Sequence, residues 1–133
     1  MPYKNKSNQE WKKILSKDIY QVTREKGTEV PFSGKYNSNK RSGLYKCACC
    51  KNILFSSQTK FDSGTGWPSF FDKYSTDSLN YVEDNSFFMK RVEVICKQCD
   101  AHLGHVFDDG PKPTGKRYCI NSVSLDFSEN EEQ

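Results

Sequence analysis

The feature that most constrains this chain is a pair of Cys-x-x-Cys knuckles, Cys47-Ala48-Cys49-Cys50 and Cys96-Lys97-Gln98-Cys99. Two residues between thiolates let a tight turn aim both sulfurs at one ion. Two such knuckles complete a tetrahedral four-sulfur shell, a geometry Zn²⁺ accepts without penalty. Because residues 51 to 95 lie between the knuckles, the ion clips together distant parts of the chain. A closed shell has no open coordination position, so the expected ion is one structural Zn²⁺ held by Cys47, Cys50, Cys96 and Cys99. Two other uses of such cysteines compete. A thioredoxin-like redox pair calls for a βαβ pattern, which is not seen, and structural disulfides are uncommon in a reducing compartment. Cys49 is surplus to the site, although it offers an alternative ligand on the first knuckle.

A clip suits the composition. The 133 residues fit one domain, and with 35% hydrophobic against 28% charged residues the core must be small for its length. No apolar run approaches the roughly 18 residues that span a bilayer, and Met1-Pro2-Tyr3-Lys4-Asn5-Lys6 lacks the apolar stretch of a signal peptide. The expectation is a soluble, cytoplasmic monomer with no membrane partner. The net charge of +3 hides an asymmetry: residues 1 to 51 hold 12 Lys/Arg against 4 Asp/Glu, and residues 52 to 133 hold 8 against 13. The basic third reads as solvated surface and not as a nucleic-acid footprint, because its lysines are not interleaved with aromatics.

Ser7-Asn8-Gln9-Glu10 has the form of a capping box, and Trp11, Ile14 and Leu15 follow at helical spacing. Ile19 and Val22 continue into a second short helix that stops near Gly27, so residues 1–21 form an N-terminal helical cover. Beyond Glu29, turn residues separate short β-branched and aromatic segments. Strands are expected at residues 44–47, 53–56, 87–95, 103–107 and 117–127, giving a mainly β body. In the last of these, Arg117, Cys119, Asn121, Val123, Leu125 and Phe127 alternate onto one face, apolar at one end and reactive at the other. Residues 128–133 read as a frayed acidic tail.

Cys119 is the better candidate nucleophile of the two cysteines left over, because Arg117, two residues away on the same face, favours the thiolate. The only histidines, His102 and His105, lie in His102-Leu103-Gly104-His105-Val106-Phe107, where Gly104 permits a bend bringing both imidazoles to one site. Each is otherwise an ordinary surface or hydrogen-bonded histidine. Neither follows the His-x-Glu pattern of zinc deaminases, and the metal shell is full, so metal-activated hydrolysis is disfavoured.

With these residues in place the sequence resembles the B-type methionine sulfoxide reductases, which act on the R epimer. The resemblance covers residues 22–127. It rests on Val22-Thr23-Arg24-Glu25-Lys26-Gly27-Thr28-Glu29, Pro31-Phe32-Ser33-Gly34, both knuckles, Gly64-Thr65-Gly66-Trp67-Pro68-Ser69-Phe70, the histidine segment, and Arg117-Tyr118-Cys119-Ile120-Asn121-Ser122. It implies two antiparallel sheets with N-terminal helices and a structural zinc remote from the active site. It also implies Cys119 as nucleophile, with Trp67, His102, His105, Phe107, Asp109, Arg117 and Asn121 around a methionine sulfoxide, free or within oxidised proteins. One departure matters. Many members carry a resolving cysteine near the Trp67 segment, whereas Phe61-Asp62-Ser63-Gly64-Thr65-Gly66 has none. Recycling of Cys119 then falls to Cys49 or to thioredoxin, glutaredoxin or a small thiol.

The chemistry fits these residues. Sulfoxide reduction needs a thiolate to attack sulfur and an acid to protonate oxygen, roles open to Cys119 and the histidines. Trp67 offers a flat wall for the substrate methyl group, and Asp109 is expected to fix a histidine tautomer unless it only makes the turn of Asp108-Asp109-Gly110-Pro111. The competing reading, from another class, is a non-catalytic zinc-ribbon module binding nucleic acid or a protein.

Overall fold

The computed structural model describes residues 6–129. Helix α1, Asn8–Ile14, opens on the expected capping box: Glu10 N donates to Ser7 Oγ at 3.2 Å, and Ser7 N donates to Glu10 Oε1 at 2.8 Å. Trp11 turns inward and is 1% exposed. Helix α2, Lys17–Arg24, is capped by Ser16 and ends three residues before Gly27, where its stop was expected, with Val22 and Thr23 buried against the body.

The body is mainly β, in two antiparallel sheets. Strands β1 (Gly43–Cys47), β2 (Ile53–Ser56) and β9 (Leu125–Glu129) form the smaller, in the order β2-β1-β9. The larger has six strands: β3 (Lys60–Phe61), β4 (Ser69–Phe70), β5 (Leu79–Asp84), β6 (Arg91–Cys96), β7 (His102–Phe107) and β8 (Arg117–Ile120), in the order β3-β4-β8-β7-β6-β5. Aromatic rings join the sheets. Phe55 of β2 stacks on Phe70 of β4 at 4.3 Å and meets Tyr118 of β8 edge-on at 5.6 Å.

The single strand expected over residues 117–127 is two strands in different sheets, joined by Asn121 and a 3₁₀ turn, Ser122–Ser124. Polar groups at this corner explain the break. Asn121 Oδ1 accepts from Glu29 N, Ser122 Oγ accepts from Tyr36 N, and Ser124 Oγ donates to the His102 carbonyl, so three crossing segments hold the corner. The expected common face therefore ends at Ile120. Tyr118 and Ile120 enter the core, while Arg117 and Cys119 face the opposite side of the large sheet. Ser128 and Glu129, expected to fray, pair with Leu44 and Gly43, and residues 130–133 of that tail lie outside the described residues. The strand expected from 87 begins at Arg91, after a 3₁₀ turn at Ser86–Phe88.

Strands β6 and β7 are antiparallel neighbours with one irregularity. Val94 pairs with Gly104 but Ile95 pairs with His102, so Leu103 is an extra residue, a β-bulge. Residues three apart on a regular strand point to opposite faces. The bulge instead puts His102 on the face of His105, while Leu103 is buried in the core.

Candidate functional site

The four knuckle thiols converge. Their sulfurs lie within 4.8 Å of one another, with Cys47 to Cys99 at 3.6 Å and Cys50 to Cys96 at 3.5 Å. A tetrahedral shell at a zinc–sulfur distance of about 2.3 Å sets sulfurs about 3.8 Å apart, so the cluster can hold a metal ion and suits zinc. All four side chains are buried. Arg24 of α2 donates to Cys99 Sγ at 3.1 Å and to its carbonyl at 2.9 Å, and its guanidinium lies over Trp11 at 4.3 Å. A cation against thiolate sulfur supports the anionic ligands and ties the helical cover to the knuckles. Cys49 stays on the first knuckle, beside Thr23 of α2 at 3.4 Å.

On the face of the large sheet away from the aromatic core, a cavity of about 120 Å³ is lined by Trp67, His102, His105, Phe107, Cys119 and Asn121, together with Thr28, Arg91 and Gly104. The sheet register explains the gathering. Cys119 lies opposite His105, and His105 opposite Glu93, so these side chains share one face. Trp67 is oriented by its indole, which donates to the Glu29 carbonyl at 3.0 Å, leaving the ring face as wall. Asn121 Nδ2 donates to the Leu103 carbonyl at 3.1 Å while its Oδ1 accepts from Glu29 N, so this side chain first fixes the wall.

Each histidine has its own carboxylate. His102 Nδ1 lies 2.7 Å from Glu93 Oε2, and His105 Nε2 lies 2.7 Å from Asp84 Oδ2. Ionised carboxylates only accept, so these nitrogens carry hydrogens, and the opposite nitrogen of each ring is left for the cavity. Burial raises the Glu93 carboxyl, but the hydrogen bond and charge of His102, helped by Lys26, outweigh it and hold Glu93 below its usual value. Hydrogen bonds from the Ser86 backbone and from His105 hold Asp84 well below the carboxylate range. Burial pushes the His105 imidazolium down despite Asp84.

Two expectations are corrected here. Asp109 holds no histidine; it accepts from Arg117 Nε at 2.8 Å and from Nη2 at 3.2 Å. Nor does Arg117 leave Cys119 more acidic than an ordinary thiol. Burial raises the thiol and outweighs the opposing pull of the Thr65 hydroxyl, 3.9 Å away, and of Arg117, whose charge Asp109 already offsets. The guanidinium lies over the Phe107 ring at 4.4 Å.

Sequence reasoning missed Glu93, Asp84 and Glu29. The available signal was Glu93 itself, a carboxylate between valines in an apolar strand that is 3% exposed in the fold. Glu29 is recognisable only from tertiary contacts: its carbonyl holds Trp67, its amide holds Asn121, and its carboxylate accepts from Val123 N.

The SelR domain family model matches residues 15–129. The peptide methionine sulfoxide reductase MsrB of Methanosarcina barkeri is 61% identical over 127 residues, 96% of this chain and 89% of that protein. Its namesake in Pseudomonas putida (strain W619) is 59% identical over 92% of each chain. Methionine-R-sulfoxide reductase B3, mitochondrial, of Mus musculus is 57% identical over 92% of this chain and 48% of that protein. Among solved structures, the Mis18 "Yippee-like" domain aligns with TM-score 0.51 at 15% identity, covering 69% of this chain and all of that one, a likeness of fold alone. Two antiparallel sheets, a four-cysteine cluster placed to hold a metal ion, a half-buried thiol facing two carboxylate-held histidines and this matched length lead to one conclusion: the chain belongs to the SelR domain family, the peptide methionine sulfoxide reductases of the B type.

Proposed function

We propose that this protein reduces the R epimer of methionine sulfoxide, free or within oxidised proteins, with Cys119 as nucleophile. The observation that carries the reading is the register pairing of Cys119 with His105 inside a cavity walled by Trp67. The Cys119 thiolate attacks the sulfoxide sulfur, forming a sulfur–sulfur bond, while a histidine protonates the oxygen, which takes a second proton and leaves as water. Water then attacks the Cys119 sulfur and the sulfur–sulfur electron pair departs with methionine. Cys119 is left as a sulfenic acid, and one proton is released. One thiol converts the sulfenic acid to a mixed disulfide with loss of water, and a second releases Cys119 and carries away the disulfide. Trp67 and Phe107 take the methyl group and side-chain carbons, which fixes the sulfur configuration presented to Cys119. Arg117, held by Asp109, adds positive charge beside the forming thiolate.

The ion we assign to Cys47, Cys50, Cys96 and Cys99 is Zn²⁺ in a structural role. It supplies no step in the reaction; it fastens the β6–β7 hairpin, whose turn is the second knuckle, to the end of β1. Cys49 is tied to the first knuckle, so the reductant is an external thiol: thioredoxin, glutaredoxin or a small dithiol. The test is turnover on separated epimers. The wild type should oxidise a dithiol with the R form only, and Cys119→Ser should lower the rate at least 10³-fold, the scale of a lost nucleophile, with its melting temperature unchanged. Cys49→Ser should keep its turnover. Reduction of the S form alone would refute the assignment, as would a Cys119→Ser enzyme at full rate.

A further inference from the structure

Beyond the Trp67 loop lies a second hollow, about 540 Å³, lined chiefly by Phe32, Lys40, Arg41, Lys60, Phe61 and Asp62. It opens at the free edge of β3, the outermost strand of the large sheet, and its lining comes from both faces: Lys60 lies opposite Phe70 on the core side, and Phe61 takes the other side. Phe61 lies opposite Ser69, and Ser69 opposite Cys119, so of this lining Phe61 shares the face of the catalytic cavity, two strands from Cys119. That is about 10 Å between Cα atoms. Phe32 forms the ridge between the hollows. Its amide donates to the Gly66 carbonyl at 2.7 Å, and Gly66 takes φ +93° where an added Cβ would come within 2.8 Å of Phe32 N. The Phe32 ring is thus fixed to the Trp67 loop while 69% of the residue is exposed.

The lining carries three cations against one carboxylate. Arg41 is answered by Glu129 at 3.0 Å, but Lys60 Nζ donates to the neutral Asn37 carbonyl, and Lys40 is exposed with no ion pair among the described residues. With Asp62 and Glu129 set against three cations the groove keeps a net positive charge, and burial, with Lys40 adding to it, holds Lys60 below its usual value against the pull of Asp62. A carboxylate entering there meets two amines, with Phe32 and Phe61 to cover apolar neighbours.

We propose that this groove binds an acidic stretch of the same oxidised protein whose methionine sulfoxide occupies the cavity, a specificity that rests on the function proposed above. At about 3.3 Å per extended residue the separation of Phe61 from Cys119 is three residues, and the amines lie past Phe61 at the strand edge, which places the preferred Asp or Glu three to five positions from the sulfoxide. The test compares ten-residue peptides carrying methionine R-sulfoxide with two aspartates, or two serines, three to five positions away on either side. N-acetyl-methionine R-sulfoxide is the small control.

One aspartate peptide should show a KM about fivefold below its serine counterpart, the scale of two exposed ion pairs, and lose that advantage at high salt. Lys40→Glu with Lys60→Glu should abolish or reverse the preference while leaving the small control unchanged. The milder Lys40→Gln with Lys60→Gln, at unchanged melting temperature, should abolish it too. Equal KM for all peptides, or a preference that survives in either double variant, would overturn the groove while the small control still turned over. If the variants alter KM for the reductant with a neutral peptide, the groove belongs to the reductant and the proposal fails. No turnover of the small control would instead refute the underlying function.

Discussion

This molecule places sulfur in two settings at opposite ends of one hairpin. At the β6–β7 turn, four thiols face one another, buried, with Arg24 and Asn52 donating to their sulfurs. On the adjoining strands one thiol, Cys119, faces hydroxyl, imidazole and indole groups, and the cation that pulls on it, Arg117, is already paired with Asp109. The difference shows that cysteine reactivity is set by what shares the surrounding volume. A saturated cluster spends its sulfur on cohesion, whereas a lone half-buried thiol is held in its protonated form by partial desolvation.

The sharpest way to break the comparison is to remove a cluster ligand. Cys96→Ser should lose both its metal and cooperative folding, with about 10 kcal/mol at stake when a structural zinc binds only the folded state. Native mass spectrometry and a thermal melt measure both; a metal-free, folded and fully active variant would reduce the cluster to ornament. Glu93→Gln tests the other setting. It keeps the shape beside His102 but removes the charge, so kcat should fall by roughly 10²-fold, the lower range for acid–base groups, with zinc content unchanged.

The pH profile sharpens the contrast further. Burial raises Cys119 and lowers His105, so neutral solution holds the thiol and the neutral imidazole. If His105 is the acid, the reactive form, thiolate with imidazolium, has the same proton count as that resting form. Log kcat/KM should then climb with pH below the histidine value, stay flat between the two, and fall above the thiol value. A steady rise through neutrality would mean that no histidine proton is used. The smallest effect concerns Asp109. Asp109→Asn leaves the Arg117 charge unopposed and should move the alkylation midpoint of Cys119 down by less than about one pH unit, since the site is open to solvent. Arg117→Met should move it up.

The cluster was legible in the sequence because a Cys-x-x-Cys turn is local chemistry, and motif resemblance extended the reading to Cys119, His102, His105 and Trp67. Glu93 and Asp84 were not, because which carboxylate faces which histidine depends on strand register, and neither residue lies within a shared local motif with its partner. Strand β5 went unread for a related reason: Leu79-Asn80-Tyr81-Val82-Glu83-Asp84 leaves much of its surface to solvent and shows no alternation. The corner at Asn121 was misread since Val123, Leu125 and Phe127 keep the alternating pattern of a strand through it. Only contacts from Glu29, Tyr36 and His102 reveal the turn.

The extra residue at Leu103 has a consequence for how this segment can vary. A strand has parity: even steps preserve a side chain's face and odd steps reverse it. His102 and His105 are an odd step apart, so their shared cavity exists only while β7 holds one residue more than β6 at that point. Deleting a single residue there would restore regular pairing and turn one imidazole into the aromatic core. Gly104 narrows the room for compromise, because an added Cβ would fall 2.0 Å from the Cys119 carbonyl oxygen. A length change that a surface loop would absorb unnoticed is, in these four residues, a change of which side of the protein an imidazole faces.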